Sequence, residues 1–258
     1  MAETKTVAAG APNWVDISSK DPAGTRDYYG KLFGWQTEVM DDPQFGGYGM
    51  ARVGGKDVAG IGPTMDPQAP TAWMLYIATQ DADATAKQVE AGGGNVVVQP
   101  MQVGDSGRMA VFQDPVGAYF GVWEPNLMPG AGVMYEPGSF AWAELNARGI
   151  EKAKPFYSHV FGWGEKVSPM GEGMGEYTEF QLGGKSIAGG MEMVAMVPKE
   201  VPSHWMVYFG VDDVDQAFAK ATELGGREML APQDFPGGRF AILMDPQGAA
   251  FGILKMRG

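Results

Sequence analysis

The chain has 258 residues, enough for one large domain or two ordinary ones, and its 45% hydrophobic and 19% charged content excludes both wholesale disorder and a fibrous repeat. Its 31 acidic against 19 basic residues leave a net charge of −12, which repels nucleic acid and acidic membrane faces, and the absence of cysteine removes disulfides, thiolate metal sites and cysteine nucleophiles together. The first twelve residues lack a basic start followed by an apolar run, and no later stretch approaches 18 apolar residues, so the sequence reads as that of a cytoplasmic protein with no membrane partner.

In chain order, an alternating strand around Trp14 to Ser18 leads to Asp21-Pro22, where Asp can cap a helix and Pro fits its first turn. The helix runs to about Phe33, with Tyr28, Tyr29, Leu32 and Phe33 at helical spacing and Gly34 as its left-handed end. Three strands are expected next, at Trp35 to Met40, Gly47 to Val53 and Val58 to Pro63. The pattern then restarts with a strand at Trp73 to Thr79, a helix from Asp81 to Ala91, and strands near Asn95 to Gln99, Arg108 to Gln113 and Ala118 to Trp123. Asp114-Pro115 reads as a turn rather than a site, and Gly92-Gly93-Gly94 follows a helix, which is the wrong context for a phosphate loop.

The second half repeats the first. Asn13-Trp14-Val15-Asp16 through Phe33-Gly34-Trp35 matches Ala141-Trp142-Ala143-Glu144 through Phe161-Gly162-Trp163 at an offset of 128. Gly54-Gly55-Lys56 recurs as Gly183-Gly184-Lys185, Met74 with Tyr76 as Met206 with Tyr208, and Asp114-Pro115 as Asp245-Pro246. A helix at Asp213 to Leu224 ends at Gly225-Gly226. These landmarks predict two homologous domains, 10–126 and 138–258, joined by a Gly- and Pro-bearing linker at 127–137. Each domain holds two βαβββ units, an α+β architecture whose frequent tight turns account for much of the glycine.

A paired βαβββ unit, an FGW after the first helix and a D-P-x-G-A turn before the last strand resemble the vicinal oxygen chelate superfamily of glyoxalase I, bleomycin-resistance proteins and extradiol dioxygenases. The likeness extends from about Ala11 to Lys255 and is narrower to tandem glyoxalase-like actinobacterial proteins, many labelled hydroxylase. It implies that each pair of units curls its mixed sheet into a half-open cup around a small ligand. Enzymes of that superfamily hold a divalent metal through His or Gln on the first strand, His on the fifth and Glu on the eighth, sometimes with another carboxylate on the fourth. The positions implied here fall on Trp14 and Trp142, Met74 and Met206, and Gly121 and Gly252, while the fourth strands V-A-G-I-G and I-A-G-G-M offer neither carboxylate nor imidazole. Only His159 and His204 exist in the chain. Trp, Met and Gly do not replace hard donors, so no metal and no other cofactor is expected.

Strand alternation places Trp14, Asp16 and Ser18 on one face, as it does Trp142, Glu144 and Asn146. Met74 then shares a face with Tyr76, and His204 with Met206 and Tyr208. Such a lining of Trp, Met and Tyr suits a planar, largely apolar molecule, although the same residues could be plain core. Asp16 and Glu144 are costly between apolar neighbours unless paired or functional, with Arg26, Arg52, Arg108, Arg148 and Arg239 available as partners. His159 reads as surface. Two functions are open. One is a metal-independent protein that binds or sequesters a small hydrophobic or aromatic metabolite. The other is an enzyme, either hydroxylase-like or a glyoxalase-type lyase of aldehyde or natural-product metabolism, in which Asp16 or Glu144 is the general base. The tandem also allows a monomer with an internal pseudo-dimer, or a weak homodimer.

Overall fold

The computed structural model describes residues 7–171, 175–195 and 197–257. The first domain contains β1 (Pro12–Ser19), α1 (Pro22–Phe33), β2 (Gln36–Val39), β3 (Gly49–Val53), β4 (Lys56–Pro63), β5 (Ala72–Ala78), α2 (Ala82–Ala91), β6 (Asn95–Val103), β7 (Gly107–Gln113) and β8 (Tyr119–Pro125). The second repeats this series as β9 (Phe140–Ala147), α3 (Ile150–Phe161), β10 (Gly164–Pro169), β11 (Glu176–Leu182), β12 (Lys185–Glu192), β13 (His204–Gly210), α4 (Val214–Glu223), β14 (Arg227–Phe235), β15 (Gly238–Met244) and β16 (Ala250–Met256). Each domain forms one open, mixed, eight-stranded sheet, ordered β2-β3-β4-β1-β5-β8-β7-β6 and β10-β11-β12-β9-β13-β16-β15-β14. The α+β, twice-repeated βαβββ plan is therefore observed.

Local chemistry sets the element ends. Asp21 Oδ1 accepts the Gly24 N–H at 3.0 Å to start α1, and Gly34 ends it at φ +75°. Helix α3 has Gly149 at its cap instead of a polar side chain, and the Glu192 carboxylate from β12 accepts from the Gly149 and Ile150 N–H groups in its place. Strand β6 runs beyond the expected stop near Gln99 to Val103, and both it and β14 shift ladder register around Pro100 and Pro232, where the ring has no N–H to give.

Alternation along the strands divides the side chains into two sets. Val15 and Ile17 of β1, Leu75 and Ile77 of β5, Leu145 of β9, and Val207 and Phe209 of β13 are essentially fully buried. The opposite face carries Asp16, Met74, Trp142, Glu144, Asn146 and His204 at intermediate exposure, with Trp14, Tyr76, Met206 and Tyr208 more deeply placed.

Two compact units divide the chain differently from its sequence halves. One comprises the segment ending at Trp14 together with Leu75–Gly130 and Ala143–Trp205. The other comprises Val15–Met74, Ala131–Trp142 and Met206–Gly258. In the first unit α2 packs on α3, and buried Tyr157 donates its hydroxyl to Asp114 Oδ2 at 2.9 Å while accepting the Trp205 indole N–H at 2.8 Å. In the second, α1 packs on α4, Tyr29 donates to Asp245 Oδ2 at 3.0 Å, and Trp73 donates to Tyr29 at 2.9 Å. Asp114 and Asp245 do hold their turns, each Oδ1 accepting two backbone N–H groups. They are also the buried acceptors that join one sequence half to the other. Burial pushes both carboxyls above the usual carboxylate range and both tyrosine phenols well above theirs.

Candidate ligand-binding site

The second unit brings together three of the residues singled out in the sequence. Buried Met206 and Tyr208 of β13 form a cluster with Ala141 and Leu254, and Trp142, Phe235, Phe240, Ile242 and Ala250 pack against it while remaining only partly buried. The Tyr208 and Phe240 ring centroids lie 6.3 Å apart at 63°, and those of Phe240 and Phe235 lie 5.8 Å apart at 80°, the edge-to-face arrangement aromatic rings prefer. Phe235 and Phe240 escape sequence reasoning because they break the internal repeat rather than follow it.

The eighth-strand position is decided by its cross-strand neighbour. Gly252 of β16 pairs in parallel register with Tyr208, and a Cβ built on Gly252 would overlap the Tyr208 ring, standing 2.6 Å from its Cγ. In the first unit Gly121 pairs with Tyr76, whose ring fills the corresponding space, with Cγ 3.0 Å from such a Cβ. The tyrosines, rather than Met74 and Met206, are thus the residues directly beside the eighth-strand glycines. A side chain at 121 or 252 has no room while these rings are in place. Among the described residues no three His, Asp or Glu side chains stand together so as to hold a metal ion.

Asp16 in the second unit accepts a hydrogen bond from the Tyr48 hydroxyl at 3.3 Å, and the Tyr48 ring lies over Gly60 and Gly62 of β4, where a Cβ would collide with it. Tyr48 was not singled out from the sequence. A signal existed, since Tyr48 recurs as Tyr177 at the offset relating Gly54-Gly55-Lys56 to Gly183-Gly184-Lys185. In the first unit Glu144 takes a 3.4 Å contact from Asn146 Nδ2, and Trp14 is buried on β1.

Four of the five arginines offered as partners for Asp16 and Glu144 are engaged elsewhere, while Arg26 Nη1 is buried with no hydrogen-bond partner among the described residues. Arg52 bridges Glu38 and Asp57, Arg108 meets Asp83 and Glu124, and Arg239 meets Asp215 and Asp234. Arg148 donates to the carbonyls of Val197, Pro198 and Val201 and so ties down the segment before β13. His204 begins β13 with Nδ1 2.9 Å from the Pro202 carbonyl. A carbonyl only accepts, so Nδ1 carries the hydrogen and the lone pair sits on Nε2. Burial lowers the His204 pKa, keeping the ring neutral near pH 7. His159 is exposed on α3.

A sheet of this order, built twice from βαβββ units, defines a tandem member of a known fold family. The family model described as Glyoxalase/Bleomycin resistance protein/Dioxygenase superfamily matches residues 11–122 and 139–253, and the chain belongs to that superfamily. It is 41% identical to the "Anthracycline biosynthesis protein DnrV" of Streptomyces peucetius, an alignment covering 97% of this chain and 94% of that one. It is 40% identical to the "Putative glyoxylase CFP32" of Mycobacterium bovis, covering 99% and 98%. Among solved structures, the Mn(II)-bound glyoxalase from Novosphingobium aromaticivorans superposes with a TM-score of 0.65 at 17% identity, covering 95% of this chain and 82% of that one. The 2,3-dioxygenase LapB from Pseudomonas sp. KL28 gives 0.67 at 14%, covering 96% and 93%. At these identities the structural likeness establishes the fold. No helix among the described residues is long and apolar enough to cross a membrane.

Proposed function

We propose that this protein binds a small, flat, largely apolar metabolite without a metal ion and sequesters it. The observation that carries the reading is the Tyr208 ring standing where a side chain at Gly252 would project, with Tyr76 and Gly121 repeating the substitution. Where the family places a hard anionic donor, this chain has a packed aromatic ring. What surrounds Tyr208 is Trp, Phe and Met, groups that contact flat apolar surfaces and coordinate hard cations poorly. The name of the Streptomyces peucetius relative supports an aromatic natural product as the ligand class. The test is titration of tryptophan fluorescence with a panel of neutral polycyclic aromatics, alongside metal analysis of the purified protein with and without chelator. Binding that survives chelation is expected. Stoichiometric Mn, Fe, Ni or Zn that is required for binding would overturn the reading.

A second reading, catalysis, draws on the Asp16–Tyr48 hydrogen bond, a half-buried carboxylate held by a phenol on the face opposite the helix-side core. There Asp16, or Glu144 in the other domain, would act as general base toward the bound molecule. Turnover that Asp16→Asn or Glu144→Gln abolishes while binding persists would favour an enzyme.

A further inference from the structure

We propose that the second domain is the aromatic-binding one, and that Phe235 and Phe240, with Trp142 and Tyr208, form a seat selective for fused-ring molecules over single rings. This rests on the binding function proposed above and names the site and ligand class within it.

Three observations carry it. Phe235, Phe240 and Trp142 are large rings left only partly buried against one buried cluster, so apolar area remains for a ligand to cover, at about 25 cal/mol per Å² removed from water. The successive edge-to-face contacts Phe235–Phe240 and Phe240–Tyr208 make a row of three mutually braced rings, and Tyr208 is fixed in turn against Gly252. A braced row loses little side-chain entropy on binding. Because it extends over successive ring spacings of 5.8 and 6.3 Å, it offers a rigid multi-ring molecule more contact than it offers one ring.

The third observation is the contrast with the first domain. The strand register makes Val103, paired with Gly107, the counterpart of Phe235, paired with Gly238. It likewise makes Met109, paired with Trp123, the counterpart of Phe240, paired with Leu254. The first domain therefore lacks both phenyl rings. Its Trp123 is no substitute: it is 7% exposed, its ring lies against Gly107, and its indole N–H is donated to the Met128 carbonyl at 2.8 Å. The net charge of −12 adds a sign preference, since a neutral or cationic aromatic approaches this surface more readily than an anionic one.

The experiment is isothermal titration of the full chain with 1,8-dihydroxyanthraquinone as the fused-ring probe and 4-hydroxybenzaldehyde as the single-ring control. The variants are Phe235→Leu, Phe240→Leu and the first-domain change Trp14→Leu, each checked for native circular dichroism. Leucine keeps apolar bulk, so loss of fold does not masquerade as loss of site. The expected result is one site per chain, affinity for the anthraquinone lowered tenfold or more by Phe240→Leu and severalfold by Phe235→Leu, and at most a twofold effect of Trp14→Leu. The single-ring control is expected to bind far more weakly to the unaltered protein. Unchanged affinity in both Phe variants with loss in Trp14→Leu would overturn the assignment to the second domain while leaving the binding function standing. Equal affinity for the two probes would overturn the fused-ring selectivity. If no aromatic binds the unaltered protein, the binding function itself fails.

Discussion

Replacing Gly252 by alanine is expected to destabilise the protein only because Tyr208 is there. Gly252 lies in mid-strand outside the left-handed region, so its backbone accepts an L side chain, and an alanine freed of neighbours would gain about 0.5–1 kcal/mol through lower chain entropy in the unfolded state. The new methyl, however, would overlap the Tyr208 ring near Cγ, the end anchored to the backbone, so rotating the far end of the side chain does not relieve it. Tyr208 is 4% exposed and packed with Met206, Leu254 and Phe240, so moving the ring displaces packed neighbours. Overpacking of this kind costs about 1–3 kcal/mol. The signs therefore invert with background: Gly252→Ala lowers stability when Tyr208 is present and raises it slightly in Tyr208→Ala. A double-mutant cycle of urea unfolding across the four proteins, with m-values checked for constancy, measures the coupling. A Gly252→Ala variant that is neutral or stabilised with Tyr208 intact would refute the claim that the Tyr208 ring fills the space beside Gly252.

Tyr157→Phe leaves Asp114 Oδ2 and the Trp205 indole N–H buried without their partner, so it is expected to cost about 1–3 kcal/mol in chemical denaturation; Tyr29→Phe, which strips Asp245 and Trp73 in the same way, should match it. A loss within error of zero in both would show that water or a shifted neighbour replaces the hydroxyl. Asp114 and Asp245 have folded pKa values raised by burial, so their contribution to stability is fully present below the unfolded carboxyl pKa of about 3.9 and is lost as pH rises through the folded value. The advantage of the unaltered protein over Asp245→Asn should accordingly shrink between pH 4 and pH 7 in parallel melts. An advantage that grows over that interval would contradict the sign.

What the sequence by itself determined is the short-range part. Asp21 before Pro22, Gly34 after Phe33 and the alternation at Trp14 to Ser18 act through neighbouring backbone groups, so the helix ends and the facing of each strand were legible, as was the duplication of the whole series. The residue types Trp14, Met74 and Gly121, repeated as Trp142, Met206 and Gly252, were legible too, being a matter of sequence alone. Tertiary structure decided what stands beside Gly252, because only the ladder register puts Tyr208 rather than Met206 there. It also decided that Asp114 and Asp245 are more than turn residues, since their tyrosines lie 43 and 216 residues away along the chain. Arg148 illustrates the same limit: its charge suggested a carboxylate partner, and packing turned it instead toward three carbonyls of the segment before β13. Which distant group satisfies a buried polar atom, and which rings meet across a sheet, depends on the simultaneous packing of every element, information that local propensity does not contain.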